Sequence, residues 1–137
     1  MYDYNKIVED LLKWYDAHAR DLPWRREPKP YYVWVSEIML QQTRVEAVKG
    51  YFTRFIEALP NIEALANAPE EQLLKLWEGL GYYNRVRNLQ KAAITVMEEF
   101  HGELPADYKE LLTLKGIGTY TAGAIASIAY GIQVPAV

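Results

Sequence analysis

Apolar residues recur every three or four positions along most of the chain, as they do on one face of an amphipathic helix. Tyr31 to Val35 has strand propensity, but the residues that follow favour helix, so we predict helix through Gln42. The spacing therefore predicts a single compact all-α domain over residues 1–137. Its helices are predicted over residues 3–19, 31–42, 43–59, 85–101, 108–113 and 119–130, with two short ones between 61 and 79.

Start and stop signals divide this pattern into separate helices. Thr43 begins a Thr-x-x-Glu spacing typical of a capping box, and Asn61 and Asn67 are candidate N-caps of the two short helices. Gly102 is the predicted stop of the helix that precedes it. Three prolines between 20 and 30 predict a loop there, because proline lacks a backbone N–H and resists helix interiors.

Composition narrows the chemistry. The chain has 137 residues, half of them hydrophobic, and a chain of this length buries about two thirds of its unfolded surface, which is enough for one core. It has no cysteine and only two histidines, so we predict no disulfide, no metal site and no cysteine nucleophile. Its N-terminus lacks a signal-peptide pattern, and no apolar run reaches about 18 residues. We therefore expect a cytoplasmic protein with no membrane partner.

Charge is arranged in blocks, although the net charge is only -3. Residues 20–54 hold seven bases and four acids, and residues 82–91 hold three bases, no acid and two tyrosines. A solvated helix face is one explanation of each block. A surface that binds nucleic-acid phosphates is the other, and the neighbouring aromatic residues favour it.

The segment 114–121 lies between two predicted helices and contains Gly116 and Gly118, whose lack of a Cβ permits a tight turn. This arrangement predicts a helix-hairpin-helix over about 108–130. The turn directs free amides at the start of the second helix toward solvent, where they and the helix dipole can hold a phosphate. A dinucleotide-binding Gly-x-Gly needs a preceding strand, and residues 110–113 favour helix instead. A plain corner between two helices, without a ligand, is the remaining alternative.

Four sequence strings resemble those of the MutY family of adenine DNA glycosylases. In chain order they are LPWR at 22–25, VWVSEIMLQQTRV at 33–45, WEGLGYYNR at 77–85 and LKGIGTYTAGAI at 114–125. Together the matches extend over essentially the whole chain. The resemblance implies the six-helix barrel core of the helix-hairpin-helix glycosylases. It also implies excision of adenine mispaired with 8-oxoguanine or guanine in double-stranded DNA.

Glu37 is the candidate general acid. It is the only charged residue between Tyr31 and Thr43, and desolvation among apolar neighbours would favour its protonated form. Protonating a ring nitrogen of adenine makes the base a better leaving group while the sugar approaches an oxocarbenium ion. A solvent-facing or capping carboxylate is the alternative without the resemblance. The resemblance further implies that Tyr120 supports this site by hydrogen bonding and electrostatics.

The resemblance implies further contacts with the base and with DNA. Leu80 and Tyr82 would wedge into the base stack, because a tyrosine ring offers a flat stacking face. Gln42 and Thr43 would contact the strand that carries the oxidised guanine. The alternatives are core packing for the tyrosines and an ordinary polar helix end at the glutamines. The residues implied for the adenine pocket are Arg20, Trp24, Arg25 and Leu40. The residues implied for DNA binding or intercalation are Gln41, Gln42, Thr43, Leu80, Tyr82, Arg85, Lys115, Gly116, Gly118, Thr119 and Thr121.

Tyr120 distinguishes two related chemistries. Proteins resembling endonuclease III carry, two residues after the second hairpin glycine, a lysine whose amine attacks the sugar. Tyr120 offers no amine, so the resemblance implies a monofunctional glycosylase, with Lys115 contacting a phosphate. The alternatives are an endonuclease III-like glycosylase/lyase and a non-catalytic helix-hairpin-helix module that only binds DNA or a protein.

Family members continue, after the position of Val137, with an Asp-Gly-Asn stretch whose aspartate stabilises the sugar cation. Later regions carry the four cysteines of a [4Fe-4S] cluster and a domain that recognises 8-oxoguanine. We therefore expect the chain to be the N-terminal part of a longer enzyme, without a cofactor of its own and with the rest of that protein as a partner. Alone it is expected to bind DNA weakly and to turn over poorly or not at all.

Overall fold

Every regular element in the described part of the chain is helical, which confirms the all-α prediction. The computed structural model describes residues 22–26, 29–41 and 43–131, so the helix predicted over 3–19 lies outside it. The helices are α1 (Pro23–Arg26), α2 (Pro30–Leu40), α3 (Val45–Ala58), α4 (Ile62–Asn67), α5 (Glu70–Leu76), α6 (Asn84–Glu99), α7 (Tyr108–Leu111) and α8 (Thr119–Ala124), and a π-helical turn (Ile125–Ala129) follows α8.

Helix α2 is buried on nearly every side, which fits its apolar sequence better than a one-sided surface helix would. Val33, Trp34 and Val35 are successive residues, about 100° apart around the helix, and all three are buried. Their neighbours come from α1, α3, α6, α8 and the π-helical turn, all of which pack against α2. Any functional group on α2 is therefore held by the core of the fold.

Helices α3 and α6 are amphipathic, as their spacing predicts. Val48, Phe52 and Phe55 form the buried stripe of α3, and Phe55 meets Trp77 edge-to-face with ring centroids 6.0 Å apart. The apolar stripe of α6 packs against α4 and α5. Gln90 of α6 joins these helices by donating from Nε2 to the carbonyls of Leu65 and Ala68 at 3.2 and 2.6 Å.

Helix boundaries test the predicted caps. Asn61 is confirmed as an N-cap, because its Oδ1 accepts from the backbone N–H of Ala64 at 2.8 Å. The capping box at Thr43 is wrong: Arg44 precedes α3, and no side chain caps it. Asn67 as an N-cap is also wrong, because it ends α4. The following Pro69 disfavours helical backbone at the residue before it, so α5 starts only after the proline.

Three other segments differ in detail from the predictions. The loop predicted over 20–30 contains the short helix α1, which begins at Pro23, a residue suited to the first helical position. Asp107, not anticipated, caps α7 by accepting from the backbone N–H groups of Lys109 and Glu110 at 2.8 and 3.4 Å. The helix predicted over 119–130 changes to a π-helical turn after α8. In the described ranges, no helix has the length and apolar character needed to cross a membrane.

Replacing Asn61 by alanine is expected to lower the free energy of unfolding by about 1 kcal/mol, because the N-terminus of α4 loses its side-chain acceptor. Asn67→Ala is the matched control. Asn67 is exposed at the end of the same helix, so its replacement is expected to change stability by less than about 0.5 kcal/mol. Denaturant unfolding measures both variants. Equal losses from the two would contradict the capping role of Asn61.

Candidate functional site

The two predicted catalytic residues lie on helices that pack against each other. Glu37 is half-buried in the C-terminal half of α2, between the buried residues Ser36 and Ile38. Helix α2 packs against α8, and Tyr120 is the second residue of α8. Tyr120 is 71% exposed. The fold therefore joins a half-buried carboxyl group and an exposed phenol through one helix pair.

Two of the four residues implied for the adenine pocket have described side chains. Trp24 is 3% exposed and packs edge-to-face on Phe52, with ring centroids 5.2 Å apart. Leu40 is half-buried at the end of α2. Arg20 and the side chain of Arg25 lie outside the described residues. Trp24 is thus part of the core in this structure, and the pocket itself stays a prediction.

The turn after α2 carries the polar residues implied for the opposite strand. Gln41 is exposed and ends α2, and its backbone N–H donates to the carbonyl of Ile38 at 3.4 Å. Thr43 is half-buried, and Gln42 lies outside the described residues. The site thus presents Gln41 to solvent beside the helix that carries Glu37.

The loop between α5 and α6 presents one tyrosine to solvent. Tyr82 is 67% exposed, which contradicts the core-packing alternative for this residue. It has a backbone φ of 51°, in the left-handed region that non-glycine residues rarely adopt. Leu80 is only 7% exposed. The predicted wedge therefore has Tyr82 as its exposed member, while Leu80 belongs to the buried core, so the wedge role of Leu80 does not fit this conformation.

The same loop is fixed by contacts that leave little freedom. Gly79 has a φ of 97°, and a Cβ at this position would lie 2.1 Å from the hydroxyl oxygen of Tyr51. The indole Nε1 of Trp77 donates to the carbonyl of Gly81 at 3.2 Å. Tyr51 was missed by the sequence analysis, because nothing in the sequence pairs a residue of α3 with this loop.

Arg85, implied as a DNA contact, has its guanidinium turned into the protein. Its Nη1 donates to the carbonyl of Ile38 at 2.6 Å, and its Nη2 reaches the carbonyl of Gly81 at 3.5 Å. Burial lowers the pKa of Arg85 below its ordinary value, although arginine stays charged at neutral pH. Arg87, two residues later, instead points outward and pairs with Glu70 at 2.8 Å, outside the site.

The hairpin packs on α6 through one of its glycines. Gly116 has a φ of 80°, and a Cβ there would lie 3.3 Å from the Cβ of Asn88, a contact that was not predictable from the sequence. Gly118 has an ordinary φ of -93° and open space around it, so the expectation that both glycines relieve backbone strain holds for Gly116 alone. Lys115 is exposed.

The start of α8 divides its residues between surface and core. Thr119 is exposed, and Gly118 accepts at its carbonyl from the backbone N–H of Ala122 at 2.9 Å. Thr121 is 3% exposed, so its side chain faces the core and the DNA contact implied for it does not fit this structure. The exposed hairpin residues implied for DNA are thus Lys115 to Thr119, with Ile117 buried among them.

A small cavity of about 90 Å³ lies where the end of α2, the start of α6 and the hairpin meet. It brings Gln41, Arg85, Lys115 and Gly116, four of the residues implied for DNA binding, around one opening. The lining residues are Trp34, Ile38, Gln41, Arg85, Asn88, Leu89, Lys115 and Gly116. Residues far apart in the sequence therefore converge on one face.

The described residues contain no group of three or more His, Cys, Asp or Glu side chains placed to hold a metal ion. The sequence has no cysteine at any position. Thiolates are the ligands of protein iron–sulfur clusters. A [4Fe-4S] cluster therefore does not fit the residues of this chain.

Comparison with known protein families shows which family the chain belongs to. Residues 35–132 match the family described as HhH-GPD superfamily base excision DNA repair protein. The chain belongs to this superfamily. The matched HhH-GPD region contains Glu37, the Tyr82 loop and the hairpin, and the helix-hairpin-helix glycosylase superfamily implied by the four strings is confirmed.

Curated relatives of this HhH-GPD chain include proteins named adenine DNA glycosylase. The one from Homo sapiens is 49% identical over 130 residues, which cover 88% of this chain and 24% of the relative. The one from Buchnera aphidicola (subsp. Baizongia pistaciae) is 45% identical over 127 residues, covering 92% of this chain and 36% of the relative. The chain thus spans about a quarter of the length of the first relative and just over a third of the second.

Solved structures show the same HhH-GPD fold. A thermostable thymine-DNA glycosylase matches with a TM-score of 0.82 and 29% identity, over 93% of this chain and 59% of that one. Endonuclease III in a non-covalent complex with DNA matches with a TM-score of 0.76 and 24% identity, over 96% and 62%. These matches support the helix-hairpin-helix assignment, and the six-helix barrel stays a prediction.

Proposed function

We propose that the protein containing this chain is a monofunctional adenine DNA glycosylase, which hydrolyses the N-glycosidic bond of adenine mispaired with 8-oxoguanine or guanine in DNA. The observation that carries the proposal is the packing of α2, with the half-buried Glu37, against α8, with the exposed Tyr120. Relatives named adenine DNA glycosylase, with identities of 43–49%, support the choice of base.

The chemistry follows from the positions of these groups. The enzyme takes adenine out of the base stack, since its reacting bond is inaccessible within a duplex. Glu37, in its protonated form, gives a proton to a ring nitrogen, and the N-glycosidic bond breaks with its electron pair going to the purine. Water adds to the cationic sugar and loses a proton, so the products are free adenine and an abasic site. Tyr120, on the adjoining helix, would hydrogen bond at this centre.

Tyr82 is suited to hold the gap that the extruded base leaves. It is exposed, and its backbone is fixed by the neighbouring loop contacts. An aromatic ring stacked on a base contributes about 1–3 kcal/mol. Gln41 and Lys115 lie on the same face, where a side-chain amide and an ammonium group can reach base edges or phosphates.

A glycosylase/lyase needs an amine that attacks the sugar. Position 120 carries a phenol, and Lys115 lies on the exposed hairpin before α8. We therefore propose hydrolysis without strand cleavage. An iron–sulfur cluster, which these 137 residues cannot ligate, would belong to other parts of the protein, and a cytoplasmic location remains part of the proposal.

Base release from defined duplexes tests the function. The complete protein is expected to release adenine from A·8-oxoguanine and A·G duplexes and to leave A·T intact, with no covalent complex trapped by borohydride. Release of thymine from T·G with adenine untouched would replace the proposed substrate. A borohydride-trapped complex with wild-type protein would replace the monofunctional mechanism with a lyase.

A further inference from the structure

Arg85 joins two segments that the proposed function uses separately. It lies in the first turn of α6, next to the Tyr82 loop, and its guanidinium reaches the end of α2. Nη1 donates to the carbonyls of Ile38 and Met39 at 2.6 and 3.4 Å. The last carbonyls of a helix have no partner within it, and a cation there also complements the helix dipole. Arg85 therefore stabilises the end of the helix that carries Glu37.

The same residue also holds the loop. Its backbone N–H donates to the carbonyl of Tyr82 at 2.9 Å. Its guanidinium carbon lies 5.7 Å from the ring centroid of Tyr82 and 5.5 Å from that of Trp77, within the range of cation–π attraction. Nη2 lies 3.5 Å from the carbonyl of Gly81, which Trp77 also binds. One guanidinium thus contacts both the loop and the helix end.

Stability alone does not explain this arrangement, because burying a polar atom without a hydrogen-bond partner costs free energy. The Nε of Arg85 is buried, and no hydrogen-bond partner is present for it among the described residues. An unpaired buried donor is rare in folded proteins and usually has an explanation outside packing. The planar guanidinium is the side chain that can reach several carbonyls at once, which a lysine ammonium on a flexible stem cannot reproduce.

We propose that Arg85 is a positioning residue that holds the Tyr82 loop and the Glu37 end of α2 in one fixed arrangement, so that stacking of Tyr82 in DNA and proton transfer from Glu37 occur in register. It acts through protein carbonyls and not through DNA phosphates. The proposal rests on the proposed glycosylase function. Misplacement of reacting groups by about 1 Å can reduce a rate roughly 100-fold, so a positioning residue can have a large effect without touching the substrate.

The test compares Arg85→Lys and Arg85→Gln with wild-type protein in single-turnover adenine excision. Both variants are expected to lose roughly 10- to 100-fold in rate. The slope of log affinity for DNA against log salt concentration is expected to stay unchanged, because each lost phosphate contact would reduce it by about 0.9. Arg87→Gln removes another arginine of α6, one that pairs on the surface with the exposed Glu70 of α5, and its excision rate is expected to equal that of wild type.

A double-mutant cycle with Tyr82→Ala separates positioning from loss of folding. If Arg85 acts through the loop, Arg85→Lys costs less in the Tyr82→Ala background than in wild type. Additive losses would overturn the inference, as would a Lys variant with the wild-type rate or a salt slope reduced by about 0.9. Wild-type protein that does not excise adenine would overturn the proposed function and this inference with it. If the wild-type protein is active and the variants show any of the contradicting results, the inference alone is overturned.

Discussion

Replacing Glu37 by glutamine is expected to lower the single-turnover rate of adenine excision by roughly 10²- to 10⁴-fold, the usual contribution of a general acid. Glutamine keeps the size of the side chain but has no acidic proton to give to the purine. Glu37 is half-buried on a helix that the core holds on nearly every side, so the substitution should leave the position of α2 unchanged. The measurement is adenine release under enzyme excess, in the complete protein.

Binding and folding controls make this result specific. Affinity for the mismatched duplex is expected to be retained, because the glutamine amide has about the size of the protonated carboxyl group and, like it, carries no charge. Glu98→Gln changes an exposed glutamate of α6 in the same way and is expected to keep the wild-type rate. A Glu37→Gln protein that is folded, binds DNA and excises adenine at the normal rate would remove Glu37 as the acid.

Gly79→Ala is expected to have the second large effect, a loss of about 2–4 kcal/mol in unfolding free energy together with slower excision. Left-handed backbone costs a residue with a Cβ about 1–2 kcal/mol. In addition, the new Cβ would lie 2.1 Å from the hydroxyl oxygen of Tyr51, so either the loop or the tyrosine must move. Because the loop carries Tyr82, the structural shift also moves the residue proposed to stack in DNA.

Two further variants separate the two causes of this stability loss, the left-handed backbone and the clash with Tyr51. Gly81→Ala also places a Cβ at a positive φ of 75°, but no atom lies within 4 Å of it, so only the backbone cost of about 1–2 kcal/mol is expected. Tyr51→Phe removes the clashing hydroxyl and is expected to restore part of the stability of Gly79→Ala while leaving Gly81→Ala unaffected. Denaturant unfolding of Gly79→Ala and Gly81→Ala, each with and without Tyr51→Phe, measures these differences. Equal losses in both glycine variants, with no rescue, would show that the Tyr51 contact is unimportant.

Helices, one cap and the hairpin were predictable from the sequence because each depends on residues that are close together in the chain. The apolar density of 31–42 identified α2, and the helical spacing of 85–101 identified α6, each to within about two residues. Asn61 was identified as a cap because its acceptor acts on an amide three residues away. The hairpin was placed correctly because Gly116 needs a backbone conformation that glycine supplies.

Features that depend on distant partners were not predictable in this way. Asn67 has the side chain of a cap, but the nearby Pro69 decides where α5 begins. Arg85 lies beside tyrosines in a basic stretch, which is typical of a nucleic-acid contact. Its partners are main-chain carbonyls of Ile38 and Met39, and a carbonyl has no side-chain identity that a sequence could show. The fold alone brings these groups together.

The fluorescence of Trp77 can report on the conformation of the Tyr82 loop. Its indole N–H is bonded to the Gly81 carbonyl, and its ring faces the Arg85 guanidinium 5.5 Å away. Indole emission is sensitive to nearby charge and to the loss of a hydrogen bond. The other described tryptophans, Trp24 and Trp34, are buried elsewhere in the core. Fluorescence from a variant that retains Trp77 as its sole tryptophan would therefore follow in real time, without any label, how the loop responds when DNA arrives.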